Sequence, residues 1–272
     1  MTNPPPSSAD ASRPPLQPPD EAGTVRMPLG GHLEELRRRL FLGLLGLAMA
    51  FAVSLGVGKG FARLILSPYE DAMRSAGIAA GLQAIQPAEP FAVYMKASFV
   101  LALLISSPWL FYQLWAFVSA GLHAQERRFV YLAAPASALL FVAGVLFLLL
   151  GIAPWVFQFF MRFDLGLDYL TYQPGLDATV AFILWLALAF GLAFQTPIAI
   201  VFAERIGLIS IAELRRVRKY VFLAAFFVGA VFTPPDVLSQ IALALPLYIL
   251  FEAGLAVCRF RRRKRNGAEA PP

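Results

Sequence analysis

Six apolar runs, at 40–57, 97–122, 129–152, 178–203, 220–232 and 237–258, limit what this 272-residue chain can fold into. A helix needs about 20 apolar residues to cross the ~30 Å of bilayer hydrocarbon. Five of the runs come close to or exceed that length. The fifth does not: at ~1.5 Å per residue its 13 residues cover about 20 Å. The turn TPPD at 233–236 stops it, so the 220–232/237–258 hairpin needs shelter from other helices or a locally thinned bilayer. Fusing or discarding the fifth run would give five crossings. With 58% of residues hydrophobic and 15% charged, the composition is that of a membrane protein. The expected fold class is an all-α integral membrane protein with six transmembrane helices in a concave bundle.

Charge placement gives the bundle a direction. The tail to Arg39, the loop at 125–128, the loop at 204–219 and the C-terminal tail hold 18 of the 23 Lys and Arg. The remaining five are Lys59, Arg63, Arg74, Lys96 and Arg162. By the positive-inside rule both termini are cytoplasmic, and the connections at 58–96 and 153–177 and the TPPD turn face outward. Three regions follow: a disordered Pro-rich cytoplasmic tail at 1–27, a six-helix transmembrane domain at 28–259 and a basic cytoplasmic tail at 260–272. Residues 1–25 carry seven prolines and no apolar core, unlike a cleavable signal peptide. Residues 58–77 have helical spacing, and FARLIL within them suits the membrane interface, so a structured outer cap is expected.

Catalytic equipment is sparse. The histidines are His32 and His123, and neither GxSxG, HExxH nor GxxxxGK[ST] occurs. The single cysteine, Cys258, excludes an internal disulfide and a cysteine-based zinc site. No enzyme activity, cofactor or metal is expected. The excess of bases clusters at the ends of apolar runs, which favours a membrane surface over nucleic acid. No internal repeat is visible, which counts against a transporter built from inverted repeats.

Instead, acids stand among the bases at the cytoplasmic rim. In GHLEELRRRL, Glu34 and Glu35 each precede an arginine, Arg38 and Arg39, by four residues, the spacing of helical ion pairs. Glu35 lies one turn before the apolar run, where a carboxylate is costly. Glu126, in GLHAQERRFV beside Arg127 and Arg128, is in the same position. It either favours the first turn of a helix or, with Glu35, receives cationic side chains. Guanidinium is the natural guest, because its planar fork binds a carboxylate through two parallel bonds. At membrane depth, Gln195 needs a partner: either a hydrogen bond to another helix or a wet cavity shared with the carbonyl freed by Pro197. Asp236 in the outer turn suits a helix cap. Glu252 is expected to pair with a nearby arginine. Pro108, Pro154 and Pro246 should kink their helices and open the bundle.

The stretches HLEELRRRL, SPWLFYQLWAFVSAGLHAQERR, AFGLAFQTPIAIV and FTPPDVLSQIALALP, in this order across 28–259, resemble the TatC family, the multispanning receptor subunit of the twin-arginine protein translocase. The resemblance implies a glove-shaped receptor in the bacterial inner membrane that binds paired-arginine signal peptides of folded cargo. Its implied partners are the single-span TatA and TatB subunits within a larger complex of several copies, and its implied energy source is the proton gradient. Glu126 matches the loop glutamate of that site and Glu35 the N-terminal one. Arg37 and Arg39 fall in the same block, Arg127 adjoins the loop glutamate, and Phe117 and Pro108 lie in the second-crossing motif. Asp236 matches the outer-turn aspartate. Gln195 stands where many members carry glutamate, which removes a negative charge but not hydrogen bonding. Against this reading stand a small-molecule or ion transporter and a purely structural scaffold.

Overall fold

The computed structural model describes residues 29–77, 81–120, 124–162, 173–232 and 237–268. Nine α-helices account for most of them: α1 (Leu29–Ser75), α2 (Glu89–Ala120), α3 (Ala124–Phe147), α4 (Ala153–Arg162), α5 (Leu176–Ala193), α6 (Thr196–Arg205), α7 (Ile211–Arg216), α8 (Arg218–Phe232) and α9 (Val237–Ala268). Five stretches are long and apolar enough to cross a membrane: Leu33–Ser75, Glu89–Ala120, Tyr131–Arg162, Leu176–Arg205 and Gln240–Arg263. The fifth apolar run forms α8, whose 15 residues reach about 22 Å, short of a full span as its length implies.

The first crossing differs most from expectation. Residues 58–77 do not form a separate interfacial piece but continue α1, which runs for 47 residues, or about 70 Å. Glycines 56, 58 and 60 keep negative φ, so nothing there breaks the helix. The helix ends at Ser75, and the turn after it closes at Gly77, whose φ of 71° suits a residue without a Cβ. The far half of α1 supplies Ile65, Tyr69, Ala72 and Met73 to the largest core cluster, against Val93 and Ala97 of α2, Phe157 of α4 and Ile183 of α5. The Tyr69 ring meets Phe157 edge-on at 5.6 Å, and its hydroxyl donates to the Gly81 carbonyl at 3.2 Å. Beside it the Gln83 amide donates to Pro174 O and the Leu176 amide to Gln83 O, tying the two long connections together. The expected structured cap is therefore this layer.

The prolines act on their helices in several ways; Pro135 and Pro246 lie within α3 and α9, which continue through them. A proline inside a helix frees the carbonyl four residues earlier. For Pro108 that is Leu104 O, and Ser107 Oγ donates to it at 2.8 Å. For Pro68 it is Leu64 O, to which Ser67 Oγ donates at 2.8 Å. Both helices thus continue past a Ser-Pro pair. Pro154 instead follows a π-helical turn at Leu148–Ile152, where the Ala153 amide bonds five residues back to Leu148 O. Pro197 ends one helix and starts the next: α5 stops at Ala193 and α6 begins at Thr196, with the proline in its first turn, where no amide donor is missed.

Helices α1 and α2 are joined along their length by side chains bonded to backbone. Ser54 Oγ donates to Ser98 O at 2.7 Å, Trp109 Nε1 to Leu42 O at 2.9 Å, and the Tyr94 hydroxyl to Leu55 O. Their approach is so close that a Cβ on Gly58 would lie 2.1 Å from Ser98 Oγ, a buried hydroxyl with no hydrogen-bond partner. Gly58→Ala should therefore destabilise the protein by about 1–3 kcal/mol. Ser98→Ala alone should be neutral or stabilising and should recover part of the Gly58→Ala loss. Thermal unfolding of the two single variants and the double variant in detergent checks this; a purely additive double variant would refute the clash.

Candidate functional site

The N-terminal turns of α1 and the C-terminal turns of α2 form one rim of the bundle. Glu35 and Arg39 pair as their spacing implies, Arg39 Nε donating to Glu35 Oε1 at 2.6 Å. The arginine also reaches α2, where Nη1 donates to Gln113 Oε1 at 3.1 Å. Gln113 is 4% exposed, so this contact anchors a charged side chain to a buried amide. Glu34 and Arg38 form no such pair; both are exposed, where an ion pair gains little over water. Arg37 is exposed on the same turn.

Between the helices lies an open groove of about 190 Å³, lined by Leu36, Arg39, Leu40, Leu110, Gln113 and Phe117 among others. Its border is apolar and exposed, with Leu33, Leu40, Phe41 and Leu44 each more than half accessible. The structure thus brings Arg39 and Phe117 together in the groove, with Glu35 paired to Arg39 one turn away. Pro108 lies lower on α2 and is exposed, away from the groove. Glu126 and Arg127 belong to the first turn of α3, but their side chains lie outside the described residues, as does Asp236. Gln113 went unnoticed in the sequence. Its signal was an amide inside the apolar run SPWLFYQLW, which needs a partner as much as Gln195 does.

Gln195 sits at the junction of α5 and α6 and takes the helix-contact alternative. Its Nε2 donates to Ser137 O of α3 at 3.1 Å and to Gly191 O at 3.3 Å. Ser137 is buried, and its hydroxyl accepts from Trp115 Nε1 of α2 at 2.9 Å. The Trp115 ring meets Phe202 of α6 edge-on at 4.9 Å. One serine thus links three parts of the bundle. An open apolar cavity of about 470 Å³ is bordered by Phe190, Thr196, Val228, Leu247 and Phe251. Gln195 is not among its lining residues, so this cavity is not a wet chamber around the amide.

Glu252 pairs with Arg218 of α8 as expected and also accepts from the Tyr248 hydroxyl at 3.1 Å. No group of three or more His, Cys, Asp and Glu suited to a metal occurs among the described residues.

The model of the family Sec-independent protein translocase protein (TatC) matches residues 31–246. The chain belongs to the TatC family. It is 35% identical over 242 residues to the Sec-independent protein translocase protein TatC of Listeria innocua, covering 89% of this chain and 95% of that one. The TatC of Escherichia coli strain K12 is 33% identical, with coverages of 89% and 92%. A crystal structure of the twin arginine translocase receptor TatC in DDM superposes with a TM-score of 0.74 at 29% identity, covering 83% of this chain and 98% of that chain. The chain is thus a multi-pass membrane protein of a protein translocase, and its relatives are named as transport components.

The Gln195 geometry gives a test of its own. Gln195→Leu should lower stability by about 1–3 kcal/mol, because Ser137 O loses its side-chain donor inside the bundle. Gln195→Glu should be no better at neutral pH, since a carboxylate would face two carbonyl oxygens. Unfolding temperatures of both variants decide it: a glutamate variant as stable as the parent would mean that the residue faces water instead.

Proposed function

We propose that the chain is the signal-peptide receptor and core subunit of a twin-arginine translocase in the bacterial inner membrane. The observation that carries this reading is the rim of α1 and α2, where a carboxylate and an arginine fixed by a buried amide stand beside an exposed apolar groove. That combination suits a peptide with paired arginines followed by an apolar stretch. In support, the crystal structure that this chain resembles is titled twin arginine translocase receptor.

Six crossings with both termini cytoplasmic follow from the distribution of Lys and Arg, with α8 as the short fifth crossing. That topology places the groove, and the first turn of α3 with Glu126, on the cytoplasmic side, where cargo arrives. Single-span TatA- and TatB-type subunits are the proposed partners, several copies form the complex, and the proton gradient supplies the energy.

Recognition rests on two unequal acids. Glu35 already gives Oε1 to Arg39, so an incoming guanidinium finds Oε2 or must displace the resident arginine. Glu126 is the acid proposed to take the bidentate contact, a charge-assisted bond of roughly 1.5–3 kcal/mol.

Glu126→Ala should therefore weaken peptide binding roughly ten- to a hundred-fold, and Glu126→Asp should be intermediate. Glu35→Ala should cost less, and Glu34→Ala should cost little. A peptide with lysines in place of both arginines should bind about as poorly to the parent as the arginine peptide binds to Glu126→Ala, because a point charge cannot make the fork contact. Titration of a fluorescent peptide into purified variants measures all of these. Parental affinity in Glu126→Ala would leave that residue as a helix-terminus acid and sink the proposed site.

A further inference from the structure

The loop helix α7 and the end of α9 border a second, open and strongly basic cavity of about 430 Å³. It is lined by Ile211, Ala212 and Arg215 of α7 and by Arg259, Arg262 and Arg263 of α9. The α9 arginines recur at helical spacing on one face, and Arg215 closes the opposite side. Helix α7 is held firmly enough to present Arg215. Ser210 and Glu213 form a reciprocal capping box, with the Ser210 amide donating to Glu213 Oε2 at 2.7 Å and the Glu213 amide donating to Ser210 Oγ at 3.2 Å.

Among the described residues no carboxylate lines this cavity. The acids on the surrounding elements are directed elsewhere: Glu213 faces Ser210 in the capping box, Glu252 is bonded to Arg218 and Tyr248, and neither they nor Glu204 of α6 are among the lining residues. Arg259 Nε is buried without an acceptor. Four guanidinium groups around one cavity repel each other and carry N–H donors that want oxyanions. An anion with several acceptor oxygens relieves both costs. The volume is in the ~300–1,000 Å³ range of sites for small ligands. Apolar groups accompany the arginines: Ile211 and Ala212 line the cavity, and Phe260, next to Arg259 on α9, is exposed. Phosphate oxygens among the arginines with acyl chains along Ala212 and Phe260 would satisfy both surfaces.

We propose that the α7–α9 cavity binds the phosphate headgroup of an anionic phospholipid, fixing the end of α9 to the membrane surface. The site is separate from the groove between α1 and α2 and does not depend on the twin-arginine reading. It requires only that this basic end of a multi-pass protein lie at headgroup level.

The experiment uses the full chain, purified in a neutral detergent, with native mass spectrometry and titration of three probes: phosphatidylglycerol, phosphatidylcholine and inorganic pyrophosphate. Phosphatidylglycerol should be retained, phosphatidylcholine should not, and pyrophosphate should bind much more weakly than the lipid. Arg215→Gln, Arg259→Gln, Arg262→Gln and Arg263→Gln combined should reduce phosphatidylglycerol binding about a hundred-fold or more. The same four positions changed to lysine should keep most of it, which also answers the concern that the glutamine variant misfolds. Replacing Lys59, Arg63 and Arg74 by glutamine removes charge elsewhere and should leave binding unchanged. Undiminished lipid binding in a helical, monodisperse quadruple glutamine variant would overturn the site. Equal binding of pyrophosphate would make it a soluble-anion site, and preferential capture of a polyglutamate peptide would make it a protein contact; either overturns the lipid assignment.

Discussion

Inside hydrocarbon every backbone donor and acceptor must find its partner within the protein, and that requirement shapes this chain wherever a proline enters an apolar helix. At Pro68 and Pro108 the preceding serine supplies the missing donor, and the helix continues. At Pro154 the helix widens by one residue for a turn before the ring. At Pro197 it stops and restarts. A hydroxyl one residue before the ring is one way to satisfy the freed carbonyl, though not a requirement for continuity, since α3 and α9 run on through Pro135 and Pro246 after Ala134 and Leu245. The break at Pro197 is what brings Gln195 to the junction of α5 and α6, where its amide bridges to Ser137 on α3.

The same economy holds the rim together. The α1–α2 seam uses serine, tyrosine and tryptophan donors on backbone carbonyls, so α1 can be very long without depending on its own termini. Because the seam runs antiparallel, it sets the start of α1 beside the end of α2, and Arg39 meets Gln113 across 74 residues of sequence. A charged side chain tied to a buried amide loses little further freedom when a ligand arrives, which favours recognition at that rim.

Much of this was legible in the sequence. Apolar run lengths located the crossings and singled out the short one, α8. The i,i+4 spacing identified the Glu35–Arg39 pair, and Glu252 found its arginine. Contacts between distant segments were not legible. Gln113 looked like one more polar residue in an aromatic run, because its partner lies on another helix. The pattern change after Val57 looked like a new element, yet glycines without positive φ do not end a helix when neighbouring helices cover it. The equivalent spacing of Glu34 and Arg38 produced no bond, since helical spacing permits an exposed pair without requiring it: the more exposed Glu70 and Arg74 reach only 3.9 Å, against 2.6 Å for the partly buried Glu35 and Arg39.

The charges of the basic end show where this protein supplies its own counterions and where it does not. Arg39 and Arg218 each meet a carboxylate between helices: Arg39 bonds Glu35 and also Gln113, and Arg218 bonds Glu252, whose other oxygen accepts from Tyr248. An unpaired cation at those depths would cost several kcal/mol, so the counterion has to be built in. Arg215, Arg259, Arg262 and Arg263 stand at the basic end of α9, and among the described residues no such carboxylate lines their cavity. At that level counterions are available from the lipid headgroups, whose negative surface potential already favours lysine and arginine. Acids inside the fold and phosphates outside it therefore divide one task. The division also explains why acids are rare among the bases of the C-terminal tail: each added there would compete with the membrane for the arginines that anchor α9.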